Sequence, residues 1–386
     1  MSDGDHWRAG VHPDLTALLR RAWPLFGQDD EALTGPAAGQ EVSRRLRAAV
    51  GIAPGPADPA VRVEGEWVRD GLHGRELSWE AGFGPRVHGR LVRPAGDDPL
   101  PGAIWFHCHG GVKRFGLDKL ADGAAGRPAH PRIARIREEL YGGRAPAEEL
   151  ARTGRAVLVH DAFGWGSRRV PLEAFPARTE AVAALELAAL DGAGAELDEE
   201  ALYDVHAGPA EDATAKALGV LGTSWTGMVA REDLLAVEVL GSLPGIAPGG
   251  VELIGFSGGG ARAAITSALS PDVRSAVVTC MVTTLAEVLP AHLHSHTWAL
   301  MTPGLGRVGD WPDVVAAAAP RPLLVQFGER DALFPPEGMR RAHEELRKRY
   351  AAAGAPEAYH GAFHDAPHSC GTAVQQEAFA WLDSVR

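Results

Sequence analysis

Beyond Pro94, short apolar segments alternate along the chain with stretches of helical periodicity. Six of these segments predict strands: 103–106, 156–160, 251–256, 275–279, 323–327 and 358–363. Helices are predicted between them, for example over 226–243 and 258–269. Strands that are apolar on both faces need cover on both faces, and strands joined by helices run parallel. The alternation therefore predicts an α/β fold with a mostly parallel central sheet and helices on both of its faces.

Other regions of the chain lie outside this alternation. Residues 13–52 have apolar side chains at helical spacing, and a Pro- and Gly-rich segment, 54–59, separates them from extended runs over 61–92 that predict antiparallel strands. We therefore predict an N-terminal helical extension, residues 1–60, and one large domain, residues 61–386. Segments at about 116–144 and 170–220 do not fit the alternation. They are predicted to be insertions, which in such sheets commonly shape a substrate pocket.

The composition argues against several classes of function. The 386 residues include 38 Lys and Arg against 50 Asp and Glu, giving a formal net charge of −12, so no nucleic-acid partner is expected. The cysteines, Cys108, Cys280 and Cys370, form no CxxC pair and predict neither a zinc ribbon nor a disulfide framework. The sequence has no signal-peptide pattern and no apolar run of membrane-spanning length. We therefore expect a soluble cytoplasmic protein without a membrane partner.

The most informative motif is the segment Gly255-Phe256-Ser257-Gly258-Gly259, which matches G-x-S-x-G. It joins a predicted strand to a predicted helix. A nucleophilic serine has to project above the sheet from a sharp strand-to-helix turn, and the glycines leave room for the two backbones to cross. The helix N-terminus then directs amide N–H groups to the place where negative charge develops. Ser257 is therefore the predicted nucleophile.

A nucleophilic serine requires a general base and a carboxylate that orients this base. In this architecture the acid follows the serine in sequence, and the base follows the acid. Asp331 comes just after a predicted strand and is the predicted acid, with Glu329 as the alternative. His364 and His368 both lie in the loop before the last helix, and spacing alone does not decide between them. His360 lies inside the last predicted strand and is expected to be structural.

A second part of such a site is predicted at the end of the strand 103–106, where His109-Gly110-Gly111 forms a glycine-rich loop. A backbone amide of this loop, from Gly111 or Gly110, can donate to an oxyanion together with the amide of Gly258. The predicted oxyanion hole therefore comprises Gly258, Gly110 and Gly111.

These motifs together resemble the α/β-hydrolases, and more narrowly the serine esterases of the dienelactone-hydrolase-like and acetyl-xylan-esterase-like kind. The resemblance covers about residues 85–386 and rests on five stretches: 107–111, 161–169, the segment around Ser257, 296–324 and 365–382. It implies the α/β-hydrolase fold, with the insertions as cap segments. In such proteins a Pro-His dipeptide before the closing helix carries the catalytic histidine, which implies His368. The best-known acetyl xylan esterases have Gln where this chain has Gly258.

The motifs and the resemblance predict a serine hydrolase that cleaves a carboxylic ester, such as a short-chain acyl or acetyl ester, with Ser257, Asp331 and His368 as a catalytic triad. The partner is expected to be a small-molecule ester, and neither a cofactor nor a metal is required. The alternatives are a peptidase or amidase on the same scaffold, and a catalytically silent hydrolase-fold protein that binds ligands. Neither the acyl group nor the oligomeric state follows from the sequence.

Two weaker patterns have simpler explanations. His292, His294 and His296 alternate as metal ligands can, but no carboxylate or cysteine at suitable spacing accompanies them. Arg168 and Arg169 could bind an acidic group of a substrate, whereas a salt bridge that supports their own loop is the favoured interpretation.

Overall fold

A computed structural model of the chain describes residues 13–27, 30–35, 37–128, 130–192, 197–289, 292–296 and 298–386. These residues form two compact units. The middle unit is Ile52–Pro248, and the terminal unit combines Met1–Gly51 with Gly249–Arg386. The chain thus leaves the terminal unit after Gly51 and returns to it at Gly249.

Five strands of the middle unit are ordered β1-β2-β3-β5-β4. They are β1 (Arg62–Arg69), β2 (Leu72–Trp79), β3 (Val87–Pro94), β4 (Gly102–Phe106) and β5 (Ala156–His160). The first three pair antiparallel and β3 also runs antiparallel to β5, whereas β4 and β5 are parallel. The turn between β1 and β2 is Asp70-Gly71, with φ values of 51° and 77°, as the tight hairpin turn of this kind requires. The antiparallel strands predicted over 61–92 are therefore confirmed.

Four strands of the terminal unit are parallel and ordered β6-β7-β8-β9. They are β6 (Val251–Phe256), β7 (Val273–Thr279), β8 (Leu323–Gly328) and β9 (Tyr359–His364). Every residue of β6 and β8 is buried, which explains why their sequences are mostly apolar rather than alternating, with Glu252 and Gln326 as the polar exceptions. The ends of the six predicted strands agree with the observed ends to within two residues. The prediction of a mostly parallel α/β architecture is confirmed.

Helices fill the connections between these strands. The α-helices of the described residues are α1 (Pro13–Ala22), α2 (Ala38–Val50), α3 (Pro131–Tyr141), α4 (Pro146–Ala151), α5 (Ala177–Gly192), α6 (Glu199–Val220), α7 (Trp225–Ser242), α8 (Gly258–Leu269), α9 (Leu285–Val288), α10 (Leu305–Val308), α11 (Trp311–Ala316), α12 (Pro336–Ala352) and α13 (Thr372–Ser384). The predicted helices 226–243 and 258–269 correspond to α7 and α8. Within the described ranges, no helix combines the length and the apolar character needed to cross a membrane.

Helix α2 is part of the core of the terminal unit. Its residues Val42, Leu46 and Val50 form one apolar face, and all three are buried. The helix packs against α8, and the Arg47 guanidinium donates to the carbonyl of Leu269 at the end of α8, at 2.9 Å. The chain that precedes the middle unit therefore supports the helix that follows Ser257.

The segment predicted as the second insertion has a small core of its own. Helices α5 and α6 pack against each other, and residues 193–196 between them lie outside the described residues. Phe175, Tyr203, Ala207 and Ala210 form a buried cluster there. The first predicted insertion, at about 116–144, contains a short 3-10 turn (Leu117–Lys119) and α3.

Candidate active site

Ser257 lies at the sharp turn between β6 and α8. Its φ of 56° and ψ of −129° fall in a region that residues with side chains rarely adopt. Its amide donates to the carbonyl of Thr279 on β7 at 2.9 Å, and its carbonyl accepts the amide of Gly260 at 2.7 Å. A Cβ on Gly255 would lie 2.0 Å from the carbonyl oxygen of Gly259, so the crossing of strand and helix requires glycine at this position. The turn has the strand-to-helix geometry that the motif predicts.

Three side chains of the terminal unit form a continuous chain of hydrogen bonds. His368 Nε2 lies 2.8 Å from Ser257 Oγ, and His368 Nδ1 lies 2.6 Å from Asp331 Oδ2. Asp331 Oδ1 also accepts the amide of Leu333 at 3.0 Å. The Asp331 carboxylate is fully buried, whereas the His368 side chain is 20% exposed. This arrangement directs the Nδ1 proton to the carboxylate and leaves Nε2 free to accept the serine hydroxyl proton.

Each of these side chains follows a strand of the parallel sheet. Asp331 lies in the turn after β8, where its amide donates to the Gly328 carbonyl at 3.1 Å. His368 lies in the loop between β9 and α13, and its ring packs 4.8 Å from the ring of Phe256, at the end of β6. Because the carboxyl ends of parallel strands meet at one edge of a sheet, residues far apart in sequence come together there.

The two alternative residues have other contacts. His364 Nε2 lies 2.9 Å from Glu377 Oε2 on α13. Glu329 is exposed, and its amide donates to the His364 carbonyl at 2.8 Å. Among the described residues, the structure therefore brings Ser257 together with Asp331 and His368 and gives neither Glu329 nor His364 a contact with Ser257.

Cys280 is a neighbour of these residues that no sequence motif indicates. It follows β7 with a φ of 50°, and its Sγ lies 3.8 Å from the carbonyl of Ser369. Its Sγ and one donor atom each of Asp331 and His368 lie within 4.8 Å of one another. Burial, with a further contribution from the Asp331 carboxylate, raises the pKa of the Cys280 thiol to about 12. Asp331 Oδ2 and both ring nitrogens of His368 are already bound to one another and to Ser257, so these residues fit a hydrogen-bonded network.

The predicted oxyanion loop after β4 belongs to the middle unit and encloses a buried ammonium group. Gly110 and Gly111 have left-handed φ values of 61° and 65°. Lys119 Nζ donates to three carbonyls of this loop, those of Cys108, His109 and Val112, at 3.0, 2.9 and 2.7 Å. Burial lowers the pKa of Lys119 to about 8. Sequence analysis missed this lysine, because spacing along the chain does not show where an isolated lysine side chain is directed.

Two further interpretations from the sequence concern Arg168 and the alternating histidines His292, His294 and His296. Arg168 Nη2 lies 2.6 Å from Glu232 Oε1, both side chains are almost fully buried, and Arg168 also donates to the Phe83 carbonyl at 3.0 Å. Its interpretation as a supporting salt bridge is therefore confirmed. The His294 side chain lies outside the described residues. The His296 ring packs 4.5 Å from Phe334, and burial lowers its pKa to about 4.

A second group of potential metal ligands lies where α3 and α6 begin. Donor atoms of His130, Asp198 and Glu200 lie within 4.8 Å of one another. Arg132 Nη1, however, lies 3.8 Å from Asp198 Oδ1 and supplies positive charge to the same carboxylate. This guanidinium disfavours a bound cation at that position.

Comparison with protein-family models found no match. In sequence, the chain is 24% identical over 287 residues to the "Putative hydrolase YtaP" of Bacillus subtilis (strain 168), a match that covers 74% of this chain and 79% of the relative. This relative is described only as a hydrolase, without a substrate.

Solved structures resemble the chain over most of its length. One is a "putative acetyl xylan esterase" from Bacteroides fragilis NCTC 9343, with a TM-score of 0.61, 16% identity and coverage of 86% of this chain and 76% of that chain. Another is a glucuronoyl esterase from Solibacter usitatus, with a TM-score of 0.58, 14% identity and coverage of 90% and 92%. A third is methylesterase BT1017, with a TM-score of 0.59, 15% identity and coverage of 100% and 68%. The predicted α/β-hydrolase fold is thereby confirmed, and the solved structures that share it are named as esterases.

Proposed function

We propose that this protein is a serine hydrolase that cleaves a carboxylic ester through an acyl-enzyme intermediate. The observation that carries the proposal is the hydrogen-bonded chain from Ser257 through His368 to the buried carboxylate of Asp331. The shared fold with an acetyl xylan esterase, a glucuronoyl esterase and a methylesterase supports an ester as the substrate. A nucleophile, a base and an orienting acid are the groups that acyl transfer requires.

Acylation begins when Ser257 Oγ attacks the ester carbonyl carbon and its proton moves to His368 Nε2. The tetrahedral intermediate then collapses, and the imidazolium returns the proton to the departing alkoxide, which leaves as the alcohol. Asp331 keeps the ring in the tautomer that can accept the serine proton, and its negative charge stabilises the imidazolium. In the second half, His368 Nε2 takes a proton from water while the water oxygen attacks the carbonyl carbon of the acyl-enzyme. The second tetrahedral intermediate then collapses, the bond from the carbonyl carbon to Ser257 Oγ breaks, and the imidazolium returns the proton to Oγ as the carboxylic acid leaves.

The oxyanion of both tetrahedral intermediates requires hydrogen-bond donors. We assign the first to the amide of Gly258, which begins α8 and, like all first-turn amides, has no acceptor within the helix. We assign the second to the loop after β4 and there to the amide of Gly110, because the amide of Gly111 donates to His109 Nδ1 at 3.1 Å. Removal of one such donor in other serine hydrolases lowers kcat by about 10²–10³-fold.

The proposed substrate is a small ester with a short acyl group, such as an acetyl ester. The support for this choice is the acetyl ester named for one of the similar solved structures, the "putative acetyl xylan esterase". A series of p-nitrophenyl esters of increasing acyl length tests it, with kcat/KM expected to be highest for the acetyl or propionyl ester. A maximum at long acyl chains would contradict the assignment.

The nucleophile is tested with Ser257→Ala. We expect kcat to fall by at least about a thousandfold, because no other side chain of the site can form the acyl-enzyme, while the circular dichroism spectrum stays unchanged. A fluorophosphonate should label the wild-type protein at Ser257 and leave the variant unlabelled. Esterase activity near the wild-type value in the variant would reject Ser257 as the nucleophile.

A further inference from the structure

A buried carboxylate joins the inserted helix α6 to the loop after β4. Glu211 of α6 is 6% exposed, and its Oε2 lies 3.2 Å from His109 Nε2 and 2.8 Å from Lys113 Nζ. The Lys113 ammonium in turn lies 3.7 Å from the ring centroid of Trp165 and 4.5 Å from that of Trp225. Two aromatic faces and a carboxylate thus surround the ammonium group, and they offset part of the cost of its burial, which lowers the pKa of Lys113.

The contact with Glu211 fixes the tautomer of His109. The other ring nitrogen, Nδ1, accepts the amide proton of Gly111 at 3.1 Å. An accepting Nδ1 carries no proton, so in the neutral ring the proton lies on Nε2, which faces the carboxylate. Burial, aided by the nearby Lys113 ammonium, lowers the pKa of His109 and keeps this ring neutral. Glu211 therefore holds His109 in the form that binds the Gly111 amide.

The same helix contacts the far end of the loop. Asp204 Oδ1 accepts the amides of Lys113 and Arg114 at 2.7 and 3.0 Å. Asp204 and Glu211 are seven residues apart on α6, so they lie on the same face of the helix, two turns apart. This face of α6 thus holds the loop at two points, through the His109 ring on one side of the glycines and through the backbone on the other.

We propose that Glu211 is a positioning residue for ester hydrolysis: through His109 it holds Gly111, and with it the neighbouring Gly110, whose amide is the proposed oxyanion donor. This inference rests on the proposed function. Two consecutive glycines adopt many backbone conformations, whereas an oxyanion donor acts only when it is fixed in advance. The Lys113 ammonium balances the carboxylate, so the cluster adds no net negative charge beside a developing oxyanion. The inserted helix therefore determines part of the reaction geometry.

The test uses His109→Leu, His109→Asn and Glu211→Gln. Asn at position 109 offers an oxygen close to the place of Nδ1 and can still accept the Gly111 amide, whereas Leu cannot. Glu148→Gln is the matched control, because Glu148 is equally buried in the same unit and binds Arg69 and the amide of Asp122, away from the loop. The probe is p-nitrophenyl acetate in stopped flow. The burst amplitude counts functional sites, and the burst rate constant reports acylation at each of them.

We expect the acylation rate constant to fall by about tenfold or more in His109→Leu and Glu211→Gln, with the amplitude and KM close to wild type. His109→Asn and Glu148→Gln should stay within about threefold of wild type. A lower amplitude with an unchanged rate constant would show a role in stability alone and would overturn the inference, as would equal rates for His109→Leu and His109→Asn.

The wild-type protein separates this inference from the proposed function. If it gives neither a burst nor a fluorophosphonate adduct at Ser257, the proposed function fails and the role of Glu211 fails with it. If the wild-type burst is normal and the Glu211→Gln and His109→Leu variants keep its rate constant, only the positioning role of Glu211 is rejected.

Discussion

His364 and His368 are four residues apart, yet each contacts a different carboxylate. His368 lies between Asp331 and Ser257, whereas His364 lies beside Glu377, and both side chains of that pair are partly exposed. The two histidines are therefore a natural pair for comparison: His364 is the last residue of β9, His368 lies in the loop that follows, and both have the same side chain.

We expect His368→Ala to lower the burst rate constant by about a thousandfold or more, because no base remains to accept the Ser257 proton. His364→Ala loses one partly exposed contact and should cost at most about 1 kcal/mol of unfolding free energy, with activity retained. Stopped-flow release of p-nitrophenol measures the first effect and urea unfolding the second. The reverse result, an inactive His364→Ala and an active His368→Ala, would move the base to His364.

Asp310 is a carboxyl group whose titration should affect stability. Its Oδ1 accepts the amides of Leu285 and Trp311, each at 2.7 Å, and so links the starts of α9 and α11. Burial raises its pKa from the ordinary 3.8 to about 7. Between these values the folded protein keeps a proton that the unfolded chain releases, so the contribution of Asp310 to stability is complete below about pH 4 and is lost as the pH rises to about 7.

Asp310→Asn tests this direction. Asn keeps an oxygen for the two amides but does not titrate, so we expect the variant to lose less unfolding free energy than the wild type between about pH 4 and pH 7. Urea unfolding at several pH values measures the two curves. Curves that run parallel across this range would show that the Asp310 carboxyl group titrates normally.

The crossing of β6 and α8 depends on the absence of a side chain at residue 255. A Cβ there would meet the Gly259 carbonyl at 2.0 Å, so Gly255→Ala forces strand and helix apart. We expect a loss of about 1–3 kcal/mol of unfolding free energy and a large loss of activity, because Ser257 shifts with the turn. Gly241→Ala is the control, since an added Cβ in α7 has no neighbour within 4 Å and should raise stability by at most about 1 kcal/mol. Equal effects of both substitutions in urea unfolding would contradict the steric argument.

The strands and the candidate triad could be predicted because their signals are local. A buried parallel strand is mostly apolar, and Ser257, Asp331 and His368 each lie shortly after a strand of the parallel sheet. The contact of His109 with Glu211 joins residues 102 positions apart, on a strand end and an inserted helix. The left-handed φ of Cys280 could not be predicted either, because cysteine has no preference for this conformation. Both features depend on how distant segments pack together, and this packing cannot be deduced from a single sequence.

The terminal unit is assembled from both ends of the chain, and α2 is one part that the N-terminal end contributes to its core. The predicted boundary at residue 60 stays a prediction, whereas the two compact units of the structure divide at residues 51–52 and 248–249. Leu46 of α2 is fully buried. Its position explains why the sequence predicts an N-terminal extension: α8, the helix against which α2 packs, lies more than 200 residues further along the chain.

Leu46→Ala tests how far the whole unit depends on this helix. We expect a loss of about 2–5 kcal/mol of unfolding free energy, as for other fully buried leucines, together with a lower temperature at which esterase activity is lost. Urea unfolding and activity after heating measure the two effects. Wild-type values for both would show that α2 adds nothing to the stability of the helix behind Ser257.

The burial of two lysine side chains limits the positions at which this protein can be attached to a surface through lysine. The chain has four lysines, of which Lys113 and Lys119 are buried. The side chains of Lys216 on α6 and Lys348 on α12 are 74% and 68% exposed. Amine-reactive linkers and dyes should therefore couple to lysine at these two positions, one in each compact unit, and removal of either one should leave a single exposed lysine for coupling.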